Sequence, residues 1–136
     1  MRNLLPLAAL LFVACGASVQ SNGSAEQPTL EVDPAMAAPG DSVTLILRNG
    51  TEGEVGYNLC SSGLEQRIDE ETWEPIPAER FCTMELRMLA AGEEATYSIG
   101  LPSELEPGEY RFTTSIERLP AGAFGEIQSE VFAVGS

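Results

Sequence analysis

The segment Leu105-Glu106-Pro107-Gly108-Glu109-Tyr110-Arg111-Phe112 sets a tight turn directly against a run of strand formers. Pro107 presets the backbone for a bend, and Gly108 accepts conformations that other residues resist. From Tyr110 the side chains alternate. Tyr110, Phe112, Thr114 and Ile116 share one face; Arg111, Thr113, Ser115 and Glu117 share the other. A period of two is the pattern of a strand buried on one side only. The chain is therefore read as a β protein built around this strand.

The same alternation recurs along the sequence. Thr29 to Asp33 places Leu30 and Val32 together and is stopped by Pro34. Ser42 to Asn49 turns Val43, Leu45 and Leu47 inward and Thr44, Ile46 and Arg48 outward. Asn49-Gly50 is a hairpin-type dipeptide, here extended by Thr51-Glu52-Gly53. Glu54 to Cys60 groups Val55, Tyr57 and Leu59, and Leu64 to Ile68 reads as a short partner strand. Asp69 to Thr72 is a polar turn, Trp73 starts a short extended piece, and Ala78 to Phe81 is irregular. Met84, Leu86 and Met88 alternate with Glu85, Arg87 and Leu89, so another strand is expected there; a helix over Glu85 to Ala91 is the alternative. Ala95 to Leu101 turns Ala95, Tyr97 and Ile99 inward. In the last strand, Glu126 to Val134, Ile127 and Val131 share one parity and Phe132 and Val134 the other, which a β-bulge near Glu130 would reconcile.

About seven to nine short strands punctuated by turns suit a sandwich, with an open barrel as the second choice. A Tyr just after a turn at the start of a late strand resembles the tyrosine corner of immunoglobulin-like sandwiches. The ordered set Asp41-Ser42-Val43-Thr44-Leu45, Gly56-Tyr57-Asn58-Leu59-Cys60, Trp73 and Leu105 to Arg111 resembles the bacterial immunoglobulin-like domains of exported proteins. The resemblance implies an all-β, antiparallel sandwich over residues 29–136, and it implies fold rather than reaction.

The N-terminus is read separately. Arg2 supplies a short positive region, and Leu4 to Val13 is apolar apart from Pro6, the length of a secretory core and too short to span a bilayer. Phe12-Val13-Ala14-Cys15-Gly16 resembles the lipobox of bacterial lipoproteins, with Phe12 where Leu is usual. The resemblance implies a signal peptide of residues 1–14 and a diacylglyceryl group on Cys15, with the new amino group acylated. An ordinary signal peptide cut after Ala14 or Ala17 is the alternative. Two or more acyl chains anchor a protein stably where one does not. Gly16 in place of an Asp leans towards the outer membrane of the cell envelope, by analogy. Residues 15–28 are small, polar and aperiodic, a flexible tether with an r.m.s. reach of about 20 Å.

Three cysteines leave one unpaired in an exported chain. If Cys15 carries lipid, as the lipobox resemblance implies, Cys60 and Cys82 remain to pair in an oxidising compartment. Two buried thiols or a reactive pair are the alternatives. Cys60 has the opposite parity to Val55, Tyr57 and Leu59, so the expected bridge pins the excursion Ser61 to Phe81 to the sandwich edge.

Charge narrows the function. The chain has 21 acidic and 7 basic residues, all of the latter Arg, and no His or Lys, for a net charge of −14. So acidic a surface repels nucleic acid and anionic lipid, so membrane attachment would have to be covalent. Without His or Lys, the commonest general base and amine chemistry are missing. No nucleotide, phosphate-loop or zinc spacing is present. A non-enzymatic chain with no cofactor is expected. The interaction surface singled out lies between the two later cysteines: Asp69, Glu70, Glu71, Trp73 and Glu74. Trp73 is expected chiefly as a core plug. The expected role is contact with a protein or glycan partner; the alternatives are an accessory subunit of an envelope complex, or a Ca²⁺-dependent or salt-adapted module.

Overall fold

The computed structural model of the protein describes residues 27–119 and 122–135. The expected signal segment, Cys15 and the expected tether as far as residue 26 lie outside the described residues. Eleven strands follow: β1 (Thr29–Asp33), β2 (Met36–Ala37), β3 (Ser42–Arg48), β4 (Val55–Tyr57), β5 (Gly63–Arg67), β6 (Trp73–Ile76), β7 (Arg87–Leu89), β8 (Glu94–Gly100), β9 (Gly108–Arg118), β10 (Ala123–Gln128) and β11 (Phe132–Val134). They form two sheets. One has the order β1-β3-β8; the other runs β2-β11-β9-β4-β7, with β10 also on β9 and the β5–β6 hairpin attached through β5.

β9 organises the larger sheet. Along one edge it pairs with β10 and then β11; along the other with β4 and then β5. Both neighbours are interrupted. On the β4–β5 side, Tyr57 sits opposite Ile116 and Gly63 opposite Thr113, so the residues between form an outward loop with a 3-10 turn at Leu59–Ser61. On the other side, Gln128 sits opposite Thr113 and Phe132 opposite Tyr110. Three residues, Ser129 to Val131, therefore oppose two, Arg111 and Phe112. This is the expected bulge at Glu130, and it returns Phe132 and Val134 to the core. Ser129 holds it: its N–H donates to the Phe112 carbonyl at 2.7 Å, and its hydroxyl accepts the Phe112 N–H at 2.9 Å.

The inward faces fill one core. Leu30, Val32, Val43, Leu45, Leu47 and Ile99 come from the smaller sheet; Val55, Leu64, Leu89, Tyr110, Phe112, Ile116, Phe132 and Val134 from the larger. Phe112 and Phe132 stack at 5.5 Å with an interplanar angle of 6°, and Tyr110 leans on Phe132 at 6.1 Å. The Tyr110 hydroxyl donates to the Glu106 carbonyl at 2.6 Å, closing the corner. Burial pushes that hydroxyl's pKa up.

Several expectations are corrected. The strands number eleven rather than seven to nine, because the bulge divides the last one and a short strand follows Pro34. The sheets are not wholly antiparallel: β2 crosses to the larger sheet and runs parallel to β11. The strand expected over Glu54 to Cys60 is only Val55–Tyr57, since the 3-10 turn takes over at Leu59. Asn49-Gly50 does not close a hairpin, because β3 and β4 lie in different sheets. Instead Asn49 is buried; its amide donates to the carbonyls of Gly53 at 2.8 Å and Leu89 at 2.9 Å, and its side-chain oxygen accepts the Thr51 N–H at 3.0 Å. The strand expected around Met84 to Leu89 is only Arg87–Leu89; Leu89 is buried, and Met84, Leu86 and Met88 are exposed. β7 is an edge strand pairing with β4, so only its inner residue reaches the core. Leu86 lies over Gly56, where a Cβ would come within 2.9 Å of its methyl carbons, so any other residue there would have to push the Leu86 side chain aside.

Candidate functional site

The smaller sheet ends at β8 and the larger at β7, and the gap between these edges is the open side of the sandwich. The segment leading from β6 to β7 crosses it. Three contacts fix that segment. Cys60, in the 3-10 turn after β4, is bonded to Cys82, with Cα atoms 5.8 Å apart. Arg80 donates through Nε to the Cys60 carbonyl at 3.2 Å and through Nη2 to the Ser62 carbonyl. The Asn58 amide donates to the Thr83 carbonyl at 2.7 Å. Partial burial lowers the Arg80 pKa, though the guanidinium stays charged.

Between this strap and the sheets lies a cleft of about 300 Å³, lined among others by Tyr57, Tyr97, Phe81, Thr83, Thr96 and Arg87. Tyr57 ends β4 and Tyr97 sits mid-β8; each packs one side on the core and is half-buried. Phe81 and Met84 are fully exposed on the strap, at 105% and 100%. Half-buried Tyr57 and Tyr97 and exposed Phe81 at one concavity make this cleft the candidate interaction site. The disulfide thus does what was expected of it, tying the excursion to the sandwich edge. It does so from the 3-10 turn rather than from a strand face, so the parity argument for Cys60 does not apply.

The acidic surface lies elsewhere, at the β5–β6 hairpin. Asp69, Glu70, Glu71 and Glu74 are exposed. Asp69 accepts the Glu71 N–H at 2.9 Å, and this bond, with help from Thr72, holds its carboxyl pKa below the usual range. Among the described residues no group of three or more His, Cys, Asp or Glu side chains is placed to hold a metal ion, so the Ca²⁺ reading finds no donor set. Trp73 is not a core plug. It is half-buried on the outer face, directly opposite Arg67, with the Arg111 guanidinium 4.2 Å and that of Arg67 5.6 Å from the ring centroid. Arg111 is also paired with Glu65 at 2.8 Å, so the ring belongs to a closed ladder of side chains across β6, β5 and β9. None of these hairpin residues lines the cleft. Sequence reading missed Tyr57 and Tyr97 as a pair because both were assigned to core faces; the only available signal was their proximity to the cysteine-bounded excursion.

A family model described as bacterial Ig-like domain matches residues 24–130. No curated protein matches the chain. Among solved structures, the chain is similar to the sporulation control protein Spo0M from Bacillus subtilis, with 14% identity, a TM-score of 0.48, and coverage of 81% of this chain and 49% of that one. It is also similar to a β-glucosidase from Listeria innocua in complex with gluconolactone, with 18% identity, a TM-score of 0.35, and coverage of 81% of this chain and 16% of that one. The chain thus spans about half of the first protein and about a sixth of the second.

Proposed function

The chain belongs to the bacterial Ig-like domain family, and from that premise we propose that it is a non-enzymatic binding module of the bacterial cell envelope. A lipid on Cys15 anchors it, with the outer membrane the favoured site, and the open side of its sandwich engages a partner. The observation that carries the reading is the cleft beside β8. Its aromatic walls, Tyr57 and Tyr97, are set by the two sheets. Its third wall, carrying Phe81, is fastened by Cys60–Cys82 and Arg80. A fixed wall lowers the ordering cost of binding.

The export reading supports the location. An apolar leader, a lipobox-like Ala14-Cys15 and a polar tether would place a domain that carries a disulfide where a disulfide survives. The test is photocrosslinking in intact cells, with a crosslinking side chain at Tyr97 or Phe81 and a control at Glu74 on the hairpin. Adducts of one defined mass from the first two positions and none from Glu74 are expected. Equal yields from all three, or none from the cleft, would overturn the reading.

A further inference from the structure

The backbone along the cleft is as distinctive as its side chains. Among the described residues β8 pairs only with β3. Its register sets Ala95 opposite Leu47, Tyr97 opposite Leu45 and Ile99 opposite Val43. The same register continues past both ends: the Asn49 N–H donates to the Glu93 carbonyl at 2.9 Å, and the Leu101 N–H to the Asp41 carbonyl at 2.8 Å. In an antiparallel ladder every second residue bonds across to its neighbour. The odd-numbered residues of β8 therefore bond to β3, and Glu94, Thr96, Ser98 and Gly100 turn their N–H and C=O groups outward to the open edge.

Proteins usually guard such edges with proline, charge or brevity. β6 carries Pro75 and is followed by Pro77, and β7 has three residues. β1 is tied to the other sheet, with its Leu30 carbonyl accepting the Glu130 N–H at 3.3 Å. β8 is seven residues long, with no proline and no cation. Its Thr96 and Tyr97 form one wall of the cleft, and Cys82 and Thr83 of the fastened strap belong to the other. The space beside β8 is thus a slot between a polar backbone edge and the fastened strap, with the side chains of Tyr57, Tyr97 and Phe81 along it. Those are the elements of strand addition, in which main-chain bonds give affinity and alternate side chains give selectivity.

Charge selects the occupant. Both arginines beside the slot are already engaged, Arg87 with Glu85 at 3.8 Å and Arg80 with backbone carbonyls. The chain as a whole carries −14. A second copy would bring the same charge and be repelled, whereas a cationic segment would be drawn in. We propose that β8 is a docking edge which accepts an extended, apolar and basic segment of a partner protein as an added strand of the smaller sheet. The inference rests on the binding-module reading and names the chemistry of its partner.

The test uses the full chain, purified from membranes in detergent, and site-resolved amide hydrogen exchange. The probe is a short synthetic peptide of alternating lysine and valine. Before addition, Thr96 and Ser98 should exchange fast, and Tyr97 and Ile99 slowly. The peptide should slow Thr96 and Ser98 several-fold, and added salt should reverse the effect. Thr96→Pro removes an outward donor while sparing every bond to β3, so it should abolish the protection with the melting temperature little changed. Ser98→Pro serves in the same way if the first variant misfolds.

Four results would overturn the inference. A glutamate–valine peptide that protects equally would exclude a basic occupant, and a backbone N-methylated peptide that protects equally would exclude strand addition. Protection that rises with protein concentration alone would make the occupant a second copy. Crosslinks from Tyr97 in cells, with no protection by the lysine–valine peptide, would leave the binding-module reading standing and remove this one.

Discussion

Two residues show how single side chains hold the frame. Tyr110 is buried and donates to the Glu106 carbonyl. Tyr110→Phe keeps the ring and loses that bond, so denaturant unfolding should show a loss of about 1 kcal/mol with the fold retained. The pH dependence has a definite sign. A hydroxyl whose pKa is raised on folding contributes stability that is complete below its ordinary value of about 10, and that is lost as pH rises through the higher folded value. Thermal melts should therefore fall on the alkaline limb, and fall less in Tyr110→Phe. Asn49 carries more, because removing its amide leaves the buried carbonyl of Leu89 short of a donor, whereas that of Gly53 keeps the Thr51 hydroxyl. Asn49→Ala should cost about 3 kcal/mol in the same measurement. The Tyr110 corner was legible because its signals are consecutive residues. The role of Asn49 was not, because its key partner, Leu89, is far along the chain and belongs to another sheet.

At the level of elements, alternation was a sound guide where a strand has one buried face and runs unbroken. β1, β3, β8 and β9 follow it residue by residue. The bulge was readable for the same reason, since a slip in parity requires an extra residue. Its anchor was not readable, because the Ser129 hydroxyl stands in for a ladder acceptor that the bulge displaces. Ser129→Ala should cost about 2 kcal/mol by leaving the Phe112 N–H unpaired in the core. β7 is shorter than its alternation suggests because it is an edge strand: only Leu89 of it is buried, and Leu86, just before it, lies over Gly56 and stays partly exposed. The strap depends on its bridge. With a sequence separation of 22, replacing both Cys60 and Cys82 by Ser should cost about 3 kcal/mol in the chain-entropy description. It should also free Phe81 and Arg80, seen as faster exchange of the strap amides while those of β9 stay protected.

For the whole molecule, charge and place decide behaviour. The ion pairs Arg48–Glu31, Arg48–Glu94 and Arg67–Glu109 are exposed and contribute little each. Against them stands the mutual repulsion of 21 acidic residues, only partly offset by 7 basic ones. Salt screens both, and the repulsion is the larger, so the melting temperature should rise with added sodium chloride. Composition made this charge imbalance legible from the start. It could not reveal that the acidic hairpin and the cleft are separate surfaces, since that depends on which strand edges the topology leaves open. The proposed tethered binding domain makes two chemical commitments, a lipid on Cys15 and a bond between Cys60 and Cys82. The intact mass of the protein from native membranes, alkylated with and without prior reduction, tests both at once. The expected result is a chain beginning at Cys15 with a diacylglyceryl or triacyl increment, and two alkylations only after reduction. An unlipidated chain, or one alkylated without reduction, would contradict it.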